Sequence, residues 1–236
     1  MKVSEKAKVL YIDIETSPLV CLTWGMWEVN VAKLLEDTYI LSAAYQWEGE
    51  PMWFLKSESK QNDEKLCKQL QSLFNEANVI IAQNGDQFDI KRINARFAYW
   101  KLEPPPPYKT IDTLKLLKKH FGLTKNSLDF VCQYFKIGKK KKHHGIDLWD
   151  NCMNDPNHPD WKVMEVYNKH DVWLLRQLWL RVLKKWHRTA PRTEYVCGSC
   201  KSSHGMKHGF RWRKGVMYQK WQCKDCGATT MLDIKK

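Results

Sequence analysis

Residues 9–15 read Val-Leu-Tyr-Ile-Asp-Ile-Glu, and their alternation predicts a β-strand with Asp13 and Glu15 on the same face as Tyr11. Side chains two residues apart on a strand project side by side, so the two acids are ~6.5–7 Å apart at Cα. Carboxylates that close repel each other unless a cation lies between them. A solvent-exposed strand face is the alternative, but Thr-Ser-Pro at 16–18 ends the strand directly after the acids. The segment therefore predicts two ligands of a metal site.

The residues that follow alternate between strand and helix patterns. Two apolar stretches at 40–47 and 52–55 bracket Glu-Gly-Glu and predict an antiparallel hairpin. Residues 61–76 have helical periodicity, and Val-Ile-Ile-Ala at 79–82 is typical of a buried strand. A further helical pattern covers residues 90–100. These elements predict an α/β domain whose sheet begins with antiparallel strands.

A third acidic position lies between the predicted strand at 79–82 and the helix that follows it. The segment Gln-Asn-Gly-Asp-Gln-Phe-Asp at 83–89 ends with Asp89 in the first turn of that helix, where the helix dipole also favours a carboxylate. Asp112 also precedes a helical pattern, but capping of that helix explains it better. Asp89 is therefore a candidate metal ligand.

The last long helix of the main domain carries the fourth acid. From Trp161 to Trp186 an apolar stripe contains Asp171, and Tyr167 lies four residues before it on the same face. The apolar members of this stripe are Val163, Leu174, Leu178 and Val182. A carboxylate on a buried face is costly unless it is paired or bound to a metal. Asp171 is therefore predicted to be a metal ligand.

The composition and net charge indicate the class of partner, and the acids indicate the class of metal ion. The 236 residues include 39 Lys and Arg against 26 Asp and Glu, and the net charge of +13 favours nucleic acid as a partner. Carboxylates at the ends of strands and helices suit Mg²⁺ or Mn²⁺. Two such ions ~3.5–4 Å apart can stabilise the attacking and leaving oxygens of a phosphoryl transfer. The 43% of apolar residues excludes a disordered chain.

These residues resemble the DnaQ-like 3′-5′ exonucleases of the ribonuclease H-like fold, in the subgroup with a tyrosine in its last motif (DEDDy). The family motif DxE followed by Thr or Ser matches residues 13–16, NxxxFD matches 84–89, and YxxxD matches 167–171. The histidine subgroup would have His five residues before the last Asp, where this chain has Val166. The resemblance covers about residues 8–187, and it implies a mixed five-stranded sheet flanked by helices.

The resemblance also implies roles for the site residues. Two Mg²⁺ or Mn²⁺ ions would be held by Asp13, Glu15, Asp89 and Asp171. Tyr167 would orient the attacking water and help to deprotonate it, and Thr16 and Asn84 would position the 3′-terminal nucleotide. The reaction would be two-metal hydrolysis at the 3′ end of single-stranded or duplex DNA, with RNA as the alternative substrate. Its products would be nucleoside 5′-monophosphates.

Four of the eight cysteines form two CxxC turns that are separated by 22 residues, a spacing close to that of zinc ribbons. They are Cys197, Cys200, Cys223 and Cys226. Four thiolates complete the tetrahedral shell of one structural Zn²⁺, and His204 and His208 are the alternative ligands. The chain is therefore predicted to divide into a ribonuclease H-like exonuclease domain at 1–190 and a zinc ribbon at 191–236.

Two basic segments are predicted to bind the nucleic acid. In the zinc ribbon, residues 210–221 predict a two-stranded hairpin with cations for phosphates and aromatic faces for bases. Its candidate contacts are Arg211, Trp212, Arg213 and Lys214. In the main domain a basic loop would clamp the phosphate backbone with Lys139, Lys140, Lys141 and Lys142. For the hairpin, the alternative is that its aromatic residues only cover the zinc site. For the four lysines, the alternative is a flexible, solvated loop.

Two other function classes are open. One is a nucleic-acid-binding protein on an inactive nuclease scaffold, although a complete set of four acids and a tyrosine argues against it. The other is a structure-specific endonuclease on the same fold. The sequence has no signal peptide or membrane segment, so we expect a cytoplasmic protein, in the host cytoplasm if a phage encodes it. The zinc ribbon resembles that of stand-alone phage or prokaryotic members, and replication proteins are the expected protein partners.

Overall fold

The computed structural model describes residues 7–27, 30–187 and 195–233. The chain forms two compact units, Met1–Leu183 and Lys184–Lys236. The predicted domain boundary at residues 190 and 191 lies outside the described residues. Within the described ranges, no helix is long and apolar enough to cross a membrane.

A mixed sheet forms the centre of the first unit. The strands of this unit are β1 (Val9–Thr16), β2 (Val20–Thr23), β3 (Val31–Glu36), β4 (Ile40–Trp47), β5 (Met52–Lys56), β6 (Val79–Ala82) and β7 (Lys109–Asp112). Five of them form one sheet in the order β5-β4-β1-β6-β7, and β2 and β3 form a separate pair. β1 is antiparallel to β4 and parallel to β6. The predicted mixed five-stranded α/β fold is confirmed.

Helices cover both faces of the sheet. They are α1 (Glu64–Glu76), α2 (Asp89–Tyr99), α3 (Thr113–His120), α4 (Leu128–Tyr134), α5 (Ile146–Asn154) and α6 (Asp160–Leu178), which continues into a π-helical turn at Trp179–Leu183. Ile12 of β1 packs in a core with α1 and α2, whereas Tyr11 packs on the opposite face with α4 and α6. Asp13 and Glu15 lie on the Tyr11 face because side chains alternate along a strand.

The buried face of α6 differs from the predicted stripe at its beginning. Val163 is 37% exposed, and the buried positions begin with Trp161 and Met164. These two side chains pack in a third core with Leu148 and Cys152 of α5. The prediction of a buried Val163 was wrong because α5, which the sequence pattern did not reveal, determines the side that the first turn of α6 buries.

The second unit is a small three-stranded sheet. Its strands are β8 (Gly205–Arg213), β9 (Val216–Cys223) and β10 (Thr229–Asp233), in the order β10-β9-β8. Lys214 and Gly215 form the predicted turn between β8 and β9, with φ angles of 49° and 77°. The predicted hairpin is confirmed, and the residues after the second CxxC turn add a third strand, β10, to the edge of β9.

One buried ion pair joins α1, α2 and β4. The Asp63 carboxylate, directly before α1, is fully buried. It accepts hydrogen bonds from Arg96 at 2.6 and 2.8 Å, from the Trp100 indole at 2.7 Å and from the Ile40 backbone at 2.9 Å. The four donors offset the cost of burying the charge.

Arg96→Ala would leave the Asp63 carboxylate buried without its cation. We expect the free energy of unfolding to fall by roughly 3–5 kcal/mol, measured by urea denaturation. Arg92→Ala, on the exposed side of the same helix, is the matched control and should change stability by no more than about 0.5 kcal/mol. Equal losses in the two variants would contradict the structural role of Asp63.

Candidate active site

Three carboxylates meet at the end of β1. Asp13 and Glu15 come from β1 and Asp171 comes from α6, which packs along this strand. One oxygen of each carboxylate lies within 4.8 Å of an oxygen of the other two. Asp171 is buried, and the other two acids are partly exposed. Three hard oxygen ligands at these separations can hold a divalent ion such as Mg²⁺ or Mn²⁺.

Asp89 lies directly beside this group. It occupies the first turn of α2, and its carboxylate accepts a hydrogen bond from the backbone N–H of Ile14 at 3.1 Å. Ile14 separates Asp13 from Glu15 in the chain, so Asp89 is fixed against the same part of β1. The structure therefore brings the four predicted acids together, with three in reach of one ion and Asp89 next to them.

The four acids repel one another in a buried environment. Burial raises the pKa of Asp13 well above its usual range, and the charges of Asp89, Glu15 and Asp171 raise it further. Burial also raises the pKa of Glu15 to about 7 and the pKa of Asp89 to about 7. The pKa of Asp171 is raised by burial, although Lys140 opposes the shift. Ionisation of the cluster therefore destabilises the folded state unless cations are bound.

One oxygen of Asp171 is unpaired within the described residues. Its Oδ1 is buried and has no hydrogen-bond partner among them. Its Oδ2 accepts a hydrogen bond from Lys140 Nζ at 2.5 Å. A buried carboxylate oxygen without a partner is costly, and hard divalent ions bind such oxygens well. The donor set therefore fits Mg²⁺ or Mn²⁺.

Lys140 differs from its neighbours in the basic loop. Its side chain lies at the acids, whereas the side chains of Lys139, Lys141 and Lys142 are exposed. The Lys140 ammonium also donates to the Tyr167 hydroxyl at 3.2 Å. Burial opposes the charged form of Lys140, but the Asp171 carboxylate outweighs burial and raises the pKa of the lysine. Lys140 therefore stays positively charged beside the acids.

Tyr167 projects from α6 one turn before Asp171. Its ring packs against Trp149 and His143, with ring centroids 5.9 and 5.0 Å away. Burial raises the pKa of Tyr167, and the charge of Asp171 raises it further. The hydroxyl therefore stays protonated at neutral pH and can donate a hydrogen bond.

Two residues that the sequence did not single out hold the acids in place. Asn168 donates from Nδ2 to the Asp13 carboxylate at 2.7 Å, and it is itself fixed by the Ser42 hydroxyl at 3.2 Å. Trp149 of α5 donates from Nε1 to the Glu15 carboxylate at 3.1 Å. Asn168 had a signal in the sequence, since it is an amide beside the apolar stripe of α6. Trp149 had none.

A cavity of about 650 Å³ begins at Asp13 and Lys140. Asn84 lines it with a left-handed backbone, φ 61°, and its N–H donates to the Asp112 carboxylate at 3.0 Å. The same carboxylate caps α3, which confirms the predicted role of Asp112. Thr16 lines a different and smaller cavity of about 190 Å³. The structure thus places Asn84, but not Thr16, in the wall of the larger cavity.

The four predicted zinc ligands converge in the second unit. Cys197 Sγ lies 3.5 Å from Cys226 Sγ, and Cys200 Sγ lies 3.5 Å from Cys223 Sγ. All four sulfurs are within 4.8 Å of one another. These separations fit a tetrahedron around Zn²⁺ with Zn–S bonds of ~2.3 Å. A hydrogen bond from the Cys200 backbone N–H lowers the pKa of Cys197 to about 6, which favours the thiolate that zinc binds.

Trp221 forms the apolar centre of this unit. It is fully buried with Cys197 and Cys223, and a Cβ added to Gly205 would lie 1.9 Å from its ring. The alternative ligand His204 has its Nδ1 3.3 Å from the Asp225 carboxylate. The residues predicted to contact nucleic acid are exposed on β8 and its turn, namely Arg211, Trp212, Arg213 and Lys214. Trp212 therefore does not cover the cysteines, and its ring is available to a ligand.

The sheet and its acids place the chain in a known superfamily. A sequence profile described as the RNase_H superfamily matches residues 10–182, which is most of the chain. The chain belongs to the RNase H superfamily. Its mixed sheet with flanking helices is the nuclease fold of that superfamily. No curated protein sequence matches this RNase H superfamily member significantly.

A solved structure with a similar fold is the family B DNA polymerase from the hyperthermophilic archaeon Pyrobaculum calidifontis. The TM-score is 0.59 at 17% sequence identity. The match covers 78% of this chain and 25% of the polymerase, so the chain spans about a quarter of that protein. At this identity the similarity concerns the fold alone.

Asp13→Asn tests whether the acids repel one another. Because the folded state raises the pKa of Asp13, the wild type loses stability as the pH rises above about 4, and the asparagine variant escapes this loss. In EDTA at pH 8 we expect the variant to gain at least about 1 kcal/mol and to melt at least about 2–4 °C higher, measured by calorimetry. Near pH 4 the two proteins should melt together. The exposed Asp147→Asn is the control. Equal melting temperatures of the wild type and Asp13→Asn at pH 8 would contradict the repulsion.

Cys200→Ser combined with Cys226→Ser tests the zinc site. We expect the wild type to contain about one Zn²⁺ per chain by elemental mass spectrometry, and the double variant to contain none. Since the metal supplies most of the folding energy of so small a unit, the amide signals of β8–β10 should lose their dispersion. Cys21→Ser, which lies outside the cluster, should retain the metal. Retention of zinc by the double variant would exclude this ligand set.

Proposed function

We propose that the protein is a metal-dependent 3′-5′ exonuclease of the DnaQ-like DEDDy type. The observation that carries the proposal is the convergence of Asp13, Glu15 and Asp171 within reach of one ion, beside the hydroxyl of Tyr167. The substrate is the 3′ end of DNA, single-stranded or duplex, and RNA is the second candidate. The products are nucleoside 5′-monophosphates.

The four acids are the residues that would hold two Mg²⁺ or Mn²⁺ ions. When bound, such ions lower the pKa of water and offset the negative charge that grows on the phosphate. The chain contributes the fixed positions of the ligands. Asn168 orients Asp13 and Trp149 orients Glu15, and the hydrogen bond from Ile14 holds Asp89. A donor that fixes a ligand in this way commonly changes metal affinity or activity by about 10–100-fold when it is removed.

Tyr167 and Lys140 act on the side of the substrate. The protonated hydroxyl of Tyr167 orients the attacking water by a hydrogen bond, and its raised pKa favours this role over the predicted help with deprotonation. The Lys140 ammonium lies between Asp171 and the cavity. It places positive charge where the phosphate approaches, and preorganised charge of this kind stabilises the transition state. We therefore assign Lys140 to the reacting phosphate rather than to a general clamp on the backbone.

The cavity beside Asp13 is the proposed position of the terminal nucleotide. Its volume of about 650 Å³ is in the range of small-molecule sites. Asn84, Gln83 and Asn126 supply polar groups to its wall. Asn84 thus keeps its predicted role, whereas Thr16 lines the separate cavity of about 190 Å³ and is not assigned to the nucleotide.

Polarity and the choice of exonuclease over endonuclease rest on the motif resemblance at residues 84–89 and 167–171. An inactive binding scaffold is disfavoured by the acids themselves. Among the described residues, one buried oxygen of Asp171 has no hydrogen-bond partner, and the pKa of Asp13 is raised by burial and by the other three carboxylates. A scaffold without a metal gains nothing from such a cluster, which lowers its stability.

The second unit adds binding to the nucleic acid in this proposal. Exposed cations and an exposed indole alternate on β8, at Arg211, Trp212 and Arg213. Cations that contact phosphates and aromatic rings that stack on bases are the usual means of holding single strands. Because side chains alternate along a strand, Arg211 and Arg213 project from one face of β8 and Trp212 from the other, and the zinc-held sheet fixes their positions.

The test is hydrolysis of 5′-labelled and 3′-labelled oligonucleotides, of DNA and of RNA, with Mg²⁺, Mn²⁺ or EDTA. We expect a ladder of shortened 5′-labelled products, release of labelled mononucleotide from the 3′ label, and no cleavage in EDTA. Circular single-stranded DNA should stay intact, because an exonuclease needs an end. Linearised circles would establish the endonuclease instead.

Asp171→Asn is the matched inactive variant. We expect no detectable hydrolysis, because the variant loses one of the three ligands that share an ion, whereas binding of the oligonucleotide persists. Asp147→Asn changes an exposed carboxylate of α5 and should be fully active. Full activity of Asp171→Asn would defeat the proposed metal site.

A further inference from the structure

A pair of strands next to the active site has large apolar side chains in solvent. β2 and β3 pair with each other and stand apart from the five-stranded sheet. We call β2, β3 and residues 24–27 the tryptophan hairpin. Trp24 is 94% exposed, Met26 is 87% exposed and Trp27 is 92% exposed. Side chains of this size are rarely left so exposed together unless they bind something.

The two ends of the tryptophan hairpin are joined to each other beside the core that contains Tyr167. Ser17 and Tyr39 exchange two hydrogen bonds, from the backbone N–H of Ser17 to the Tyr39 carbonyl at 3.0 Å and from the N–H of Tyr39 to the Ser17 hydroxyl at 3.1 Å. Val20, the first residue of β2, packs in the same core as Tyr167. The hairpin therefore begins at the wall of the proposed catalytic centre.

The basic loop reaches the same core from another direction. His143, directly after the four lysines, packs against Trp149 and Tyr167, with ring centroids 4.8 and 5.0 Å away. In β2, residues 24–27 and β3 the charged residues are Lys33 and Glu36, so the hairpin itself offers a single cation for phosphates. The exposed Lys141 and Lys142 supply cations beside the core on which the hairpin is based. Lysines that can contact phosphates and indoles that can stack on bases thus lie next to the same core, which contains Tyr167.

We propose that the tryptophan hairpin binds unpaired nucleotides of the substrate by base stacking on Trp24 and Trp27. This inference rests on the proposed function, because that proposal identifies nucleic acid as the ligand. Trp24 is the eighth residue after Thr16, so its Cα lies within about 29 Å of the Thr16 Cα at the end of β1. A single strand whose end occupies the site can cover this distance with a few nucleotides. Bases in a duplex are stacked on each other and cannot use the indoles.

The test compares a double variant, which combines Trp24→Leu and Trp27→Leu, with the wild type. Binding is measured in EDTA, where no hydrolysis occurs. Leucine keeps the surface apolar and removes the aromatic face. Each lost stack should weaken binding about tenfold, so we expect the Kd for oligothymidylate to rise about 100-fold by fluorescence anisotropy. The Kd for a blunt duplex should be unchanged. The double Phe variant should recover much of the affinity.

Trp53→Ala is the matched control. Trp53 is a half-exposed tryptophan on β5, outside the hairpin, and its loss should leave the Kd for oligothymidylate unchanged. Because Trp24 and Trp27 are solvent-exposed, the melting temperature of the double Leu variant should equal that of the wild type. A shift in melting temperature of the double Leu variant would show that the indoles support the fold and would overturn the stacking role.

Unchanged affinity of the double Leu variant for oligothymidylate would overturn the inference and leave the exonuclease proposal intact. A different outcome in sedimentation is that the wild type is a dimer and that the variant with Ala at both Trp24 and Trp27 is a monomer. If the affinity of that variant for oligothymidylate is also unchanged, a second copy of the chain covers the indoles and the inference is overturned. If the wild type binds oligothymidylate in EDTA but does not cut it with Mn²⁺, the proposed exonuclease function is defeated and the proposed base stacking is not. Wild type that binds no oligonucleotide would overturn both.

Discussion

The first unit depends on how its other residues balance the mutual repulsion of four acids at the end of β1. Asp13 and Glu15 come from the central strand, and Asp89 and Asp171 come from helices on opposite faces of the sheet. Such charges stay in one buried place only if hydrogen bonds and cations oppose them. Donors from several elements therefore surround the acids, since Ile14 of β1 holds Asp89, Trp149 holds Glu15 and Asn168 holds Asp13. The acids lower the stability of the folded protein, and their oxygens form a donor set that fits a divalent ion.

The parts of the fold that could be predicted are those whose burial is determined locally. β1, β4 and β6 are buried strands with few polar residues, and their predicted bounds agree with the structure to within one residue. The pair β2 and β3 was not predicted because its apolar residues face solvent, so the sequence shows no alternation of buried and exposed positions. The exposed Val163 was misplaced for a related reason, since a neighbouring helix determines which side of α6 is buried.

The acids and Tyr167 could be found from the sequence because each lies within or at the end of a recognisable element. Their supports could not, because these supports are distant in the chain. Asn168 lies 155 residues from Asp13 and Trp149 lies 134 residues from Glu15. Lys140 was recognised as basic, but no spacing distinguishes it from the three other lysines of its loop. Its position follows from the hydrogen bond between its backbone N–H and Asp129, at 2.8 Å, which directs the loop toward α6.

Lys140 and a divalent ion do not compete for Asp171, because they use different oxygens. The ammonium bonds to Oδ2, and Oδ1 is the oxygen without a hydrogen-bond partner in the described part of the chain. One carboxylate can therefore serve a fixed cation of the chain and a bound ion together. The fixed cation reduces the repulsion within the cluster before any ion binds, since its charge opposes the rise that burial causes in the pKa of both Asp171 and Glu15. Divalent ions, if bound, would offset the charge that a single lysine leaves uncompensated among four acids.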